Sequence, residues 1–180
     1  MTEETKRNSI DLINESTYKI QLVSKDGDSF TVNRDNACIS ELVKTMINED
    51  DITIIQEIPL PNVSTKVLVK VIEFVNYYSE EKMTTIDKPL KSTTGNMCDI
   101  VQEWYAKFVE IDPELLFDLI SAANYLNVEP LLALTCATIA NAIRTKTPDE
   151  VRTAFNIEND FTPLEEEQAR AENIWVEEED

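Results

Sequence analysis

Residues 129 to 143, EPLLALTCATIANAI, read at helical spacing and are apolar all the way round. Leu131, Leu134 and Ala142 fall on one side, and Leu132, Cys136, Ile139 and Ile143 on another. A helix of this kind has to be sandwiched. The preceding helical run, PELLFDLISAANYL, ends near Asn127 to Pro130 and covers one side; after residue 143 the chain offers a short PDEVRTAF helix and an acidic tail, too little for the other. Two readings stand: the segment is the centre of this chain's own core, or it is one wall of a groove that a partner's helices complete.

The rest of the chain reads as an α+β unit. Residues 1–17 are polar and aperiodic, a disordered extension. YKIQLVSKDGDSFTV (18–32) alternates around Asp26-Gly27, which predicts strands near 18–24 and 28–32 joined by a two-residue hairpin turn. Ile39, Leu42, Val43, Met46 and Ile47 predict one amphipathic helix over 36–47. The β-branched run ITIIQEI (52–58) reads as a third strand ended by Pro59 and Pro61. From Ser64, residues Val67, Val71, Phe74, Val75 and Tyr78 line one face of a helix, and Val101, Trp104, Tyr105 and Phe108 line another. Between them, 79–96 has too little apolar content to fold alone and reads as a flexible loop.

Three helices announce their starts with a capping residue followed by proline: Asp112-Pro113, Thr147-Pro148 and Thr162-Pro163. The last two are capping boxes, TPDE and TPLE, in which the glutamate bonds back to the cap amide. The closing stretch therefore begins as a helix, and over 163–178 it sets Leu164, Gln168, Ala171 and Trp175 on one stripe. A helix of about 15 residues is marginal alone. Burying roughly 200 Å² of indole at about 25 cal/mol per Å² gives up to ~5 kcal/mol, against ~1 kcal/mol for a cap, so Trp175 decides whether this helix is stable. It needs a surface to meet.

Composition narrows the function. The chain carries 35 acidic and 16 basic side chains, a formal charge of −19, which opposes nucleic acid and anionic membranes and favours a protein partner. With no histidine, the Ser-His-Asp and Cys-His arrangements and the H-E-x-x-H zinc helix are excluded. Two glycines, Gly27 and Gly95, cannot build a P-loop or a G-x-G-x-x-G turn. No catalytic residue, metal ligand or cofactor site is expected. The first seventeen residues lack the apolar core of a signal peptide and no run suits a bilayer span, so a soluble protein made in the cytosol is expected. Cys38, Cys98 and Cys136, widely spaced, suit reduced thiols, and Cys136 reads as a small buried apolar residue rather than a nucleophile.

The second half carries A-A-N-Y-L, T-C-x-T-x-A-N-x-I, K-T-P-x-E-x-R, F-N-I-x-N-D-F-T and E-E-E-x-x-x-R-x-E-N, in order and with fitting gaps. With DGDSFTV, KTM, IPLPNV and the spacing of Trp104, Phe108 and Asp112, these motifs closely resemble the S-phase kinase-associated protein 1 family, the F-box-binding adaptors of SCF ubiquitin ligases. The resemblance covers about 20–180. It implies a BTB/POZ domain over 18–126 and an F-box-binding helical region over 127–180, with a cytoplasmic and nuclear location.

It also implies partners: Leu116, Leu132, Cys136, Ile139, Ile143, Phe155, Ile157 and Trp175 would line the F-box side, and Asn124 and Tyr125 would meet a cullin. By themselves, Asn124 and Tyr125 read as a helix-end polar residue and a packed aromatic. The same resemblance allows a weak homodimer when no F-box protein is bound. An elongin C-like or self-associating BTB adaptor is the alternative, disfavoured by the two capped helices that continue to Trp175. Departures from the family pattern include Tyr105, where an acid is common, Ala137, where a lysine is common, and lysines in the 79–96 loop.

Overall fold

Ile20 and Leu22 point into the core from β1 (Lys19–Ser24) while their neighbours do not, the two-residue alternation of a half-buried strand. A computed structural model describes residues 19–47, 55–90, 95–144 and 146–172. The chain divides into two compact units, Met1–Arg144 and Thr145–Asp180, so the 126/127 boundary drawn from sequence falls inside the first.

Strand β2 (Ser29–Asn33) pairs antiparallel with β1, Leu22 opposite Phe30. The turn is longer than the sequence predicts. Ser24 N–H bonds the Asp28 carbonyl and Gly27 N–H bonds Ser24, leaving Lys25, Asp26 and Gly27 as the loop, with Gly27 at φ 91. That is a three-residue hairpin loop closed by a left-handed glycine. Strand β3 (Glu57–Leu60) joins the other side of β1 in parallel, giving the order β2-β1-β3. The third strand thus runs through Pro59 instead of ending there; β3 is an edge strand, where a missing N–H does no harm. Residues 52–54 of the predicted strand lie outside the described residues.

The single helix predicted over 36–47 is two short ones, α1 (Arg34–Ala37) and α2 (Glu41–Met46). Ser40 causes the break: its Oγ accepts from Val43 N–H as the cap of α2 and donates to the Leu126 carbonyl, which fixes the chain at that point. Helix α3 (Thr65–Glu80) buries Val67, Leu68, Val71, Phe74 and Val75 against Ile20, Leu22, Val32, Ile58 and Leu60 of the sheet. Its cap residue, Ser64, makes no side-chain capping bond. Asp26 of the hairpin does so from across the fold, accepting Thr65 N–H at 2.7 Å, and this bond lowers its carboxyl pKa.

A short 3₁₀ turn (Met97–Asp99) leads to α4 (Glu103–Phe108), whose rings interlock with those of α3. Trp104 stacks on Tyr77 with centroids 3.7 Å apart, and Tyr105 meets Phe74 and Tyr77 edge-on. Tyr105 is fully buried, and its hydroxyl donates to the Glu81 carbonyl. Helix α5 (Pro113–Leu126) begins at Asp112-Pro113 as the sequence predicts, although the Asp112 side chain makes no capping bond. It buries Leu115, Leu119, Ala122, Ala123 and Leu126, and α6 (Glu129–Arg144) adds Leu131 and Leu134 to the same core.

In the second unit, α7 (Pro148–Ala154) carries the predicted capping box in full: Thr147 Oγ1 accepts Glu150 N–H and Glu150 accepts Thr147 N–H. Helix α8 (Pro163–Glu172) repeats it with Thr162 and Glu165. Arg152 joins the unit, bonding Asp149 at 2.7 Å and Glu166 at 3.4 Å.

Candidate functional site

The site is built from α5, the turn after it and α6. Asn127 ends α5 in the left-handed conformation (φ 51), which asparagine tolerates, and its N–H closes onto Ala123 and Asn124. That turn brings α6 back against α5. One side of α6 is committed to the core through Leu131 and Leu134, both with no exposed surface. Ala142, expected on that side, is exposed; Asn141 is buried instead, because its Nδ2 donates to the Gly95 carbonyl at 2.6 Å where the helix passes the preceding loop. The buried Thr135 hydroxyl is satisfied within the helix by Leu131.

The other side is open. Leu132 and Ile139 are half-buried, Ile143 is 38% exposed, and Cys136 is exposed. The expectation that Cys136 is buried is therefore corrected: it is exposed, on the stripe that no helix or strand among the described residues of this unit covers, and it forms no disulfide. Positions 132, 136, 139 and 143 keep spacings of four, three and four, one line along the helix. Leu116 on α5 is buried at 6% but stands outside the main core cluster. Asn124 is exposed near the end of α5, and the adjoining Tyr125 ring packs partly on the core.

The remaining predicted residues belong to the second unit or lie beyond description. Phe155 closes α7 and is half-buried, and Ile157 is 54% exposed. Phe161 and Leu164 are also exposed, as are Gln168 and Ala171, so the described part of the predicted α8 stripe lies open. Trp175 lies outside the described residues.

Sequence reasoning missed a second wall. Ile86, Pro89 and Leu90 stand opposite Leu132, Cys136 and Ala137 across an apolar groove of about 730 Å³, with Lys88 and Glu129 also on its lining. An aliphatic residue inside a polar loop was the available signal.

The first unit is thus an α+β fold that exposes one apolar helix stripe. The model of the Skp1 family tetramerisation domain matches residues 18–80, and that of the Skp1 family dimerisation domain matches 129–176. The chain belongs to the Skp1 family. SKP1-like protein 1A of Arabidopsis thaliana is 45% identical over 161 residues, covering 89% of this chain and 98% of the relative. The S-phase kinase-associated protein 1 homolog of Tetrahymena thermophila is 42% identical, covering 92% and 98%. The E3 ubiquitin ligase complex SCF subunit sconC of Arthroderma benhamiae is 44% identical, covering 91% and 98%. Within the Skp1 family framework the small sheet and its helices are the POZ fold, the α+β class read from the sequence. The exposed stripe of α6 lies in the span that matches the Skp1 family dimerisation domain.

Proposed function

We propose that this chain is a non-catalytic adaptor that joins F-box substrate receptors to a cullin scaffold in an SCF-type ubiquitin ligase, acting in the cytoplasm and nucleus. The observation that carries this reading is the apolar line of Leu132, Cys136, Ile139 and Ile143, left open on a helix whose opposite side enters the core through Leu131 and Leu134. A relative named as an SCF subunit, matched over nearly its whole length, supports the same role. Leu116, Phe155, Ile157 and Trp175 complete the F-box side, and Asn124 with Tyr125 forms the cullin contact. The ubiquitin chemistry belongs to other subunits.

Binding works by helix-in-groove recognition: an amphipathic F-box helix lays its aliphatic anchors along the stripe and removes both surfaces from water. The test is size-exclusion chromatography of the full chain alone and with a recombinant F-box domain. A stable one-to-one complex, lost on Cys136→Arg, supports the adaptor role. A self-associated species that the F-box domain leaves unchanged overturns it in favour of a self-associating module.

A further inference from the structure

The 81–90 segment has no helix or strand, yet it is tied down at both ends. Tyr105 Oη donates to the Glu81 carbonyl, Gln102 Nε2 to the Lys82 carbonyl at 2.9 Å, and Thr84 N–H to Gln102 Oε1 at 3.0 Å. At the far end, Arg144 donates to the Leu90 carbonyl at 3.2 Å, and just beyond, Asn141 donates to Gly95. Met83 and Ile86 rest on the core. The segment also falls between the two spans matched by the family models, 18–80 and 129–176.

Held in this way, the segment stands as a wall beside α6. Ile86, Pro89 and Leu90 form one side of the 730 Å³ groove; Leu132, Cys136 and Ala137 form the other. This volume is in the range of roughly 300–1,000 Å³ typical of ligand sites. Leu132 and Cys136 belong to the stripe assigned above to the F-box helix, so groove and stripe are one continuous surface. Ala137 and Ala140 follow the stripe positions Cys136 and Ile139 by one residue, about 100° further round the helix. Ala137 is only 6% exposed, and a lysine there would crowd the groove.

We infer that residues 86–90 are a specificity-determining wall for the F-box partner, which inserts an aliphatic anchor between the segment and α6. The inference rests on the adaptor reading. Continuity with the stripe names the occupant, and the rim adds selection by charge. Glu129 favours a partner cation at one part of the groove and Lys88 an anion at another, so partners are sorted by the residues flanking their anchor.

Isothermal titration calorimetry of the full chain with a recombinant F-box domain tests this, using wild type, Ile86→Ser with Leu90→Ser, Ala140→Trp and Cys136→Arg. Ala140 is exposed on the groove lining, so its tryptophan fills the space without removing a core contact. The wall pair and Ala140→Trp are each expected to weaken binding at least tenfold while the melting temperature of Ala140→Trp stays at the wild-type value. If the wall pair melts early, Ala140→Trp decides alone. Binding by wild type, abolished by Cys136→Arg but changed less than threefold by Ala140→Trp, overturns the wall and leaves the adaptor role intact. Tighter binding by the wall pair also overturns it, since the segment then obstructs the partner. If wild type does not bind, the adaptor reading fails and the wall falls with it.

Discussion

A single phenol shows how one residue sets the position of a whole segment. Tyr105 is sealed among Phe74, Tyr77 and Trp104, and burial, reinforced by Tyr77 and Tyr78 nearby, holds its pKa well above the ordinary tyrosine range. The neutral form is the one the fold accepts. Its stabilisation is complete below the unfolded value near pH 10 and is lost as pH rises towards the higher folded value. Tyr105→Phe should cost about 1 kcal/mol at pH 8 through the lost bond to Glu81. The gap from wild type should narrow at pH 11, a comparison that urea titrations at the two pH values make directly. At the end of α5, Asn124→Ala with Tyr125→Ala should weaken cullin binding in pull-downs while F-box binding persists. Loss of both activities would return the pair to a purely structural role, which the half-buried Tyr125 ring makes a real alternative.

Elements differ in how far away their deciding partner lies. The capping boxes of α7 and α8 were legible because cap and glutamate are three residues apart, and both formed as read. The backbone bond from Thr162 lowers the pKa of Glu165 below its ordinary 4.5. The box therefore stabilises α8 above that value and fails as pH falls through the folded one. Glu165→Gln should reduce helical ellipticity at pH 7, and acidified wild type should converge on the variant. Outside the described residues, Trp175→Ala should weaken F-box binding by about 2 kcal/mol or more, the loss of a buried anchor; unchanged affinity would remove it from the interface. The split between α1 and α2 was not legible, because Ser40 is pinned by Leu126, and the α3 cap was not, because Asp26 reaches Thr65 across the sheet. For α6, periodicity separated the two stripes, Ala142 apart, but could not tell which one the fold would cover. Cys136 was misjudged for that reason, and Asn141 displaced Ala142 through a bond to the distant Gly95.

At the scale of the whole molecule, the net charge of −19 acts on association before any contact forms. Encounter with a basic partner surface should be accelerated at low ionic strength, so stopped-flow association rates should fall steeply between about 50 and 500 mM salt while dissociation rates change little. A flat association rate would show that the charge is spread where no partner approaches. The anchoring of 81–90 has a consequence on a different timescale. Glu81, Lys82, Thr84 and Leu90 are all held by their main-chain atoms, and the side chains that hold them, Tyr105, Gln102 and Arg144, lie outside the segment. Inheritance can thus alter exposed positions such as Thr85 and Lys88 without loosening the path of the chain. Duplicated copies of such a gene can drift towards new partners through this segment while the core beneath stays under selection.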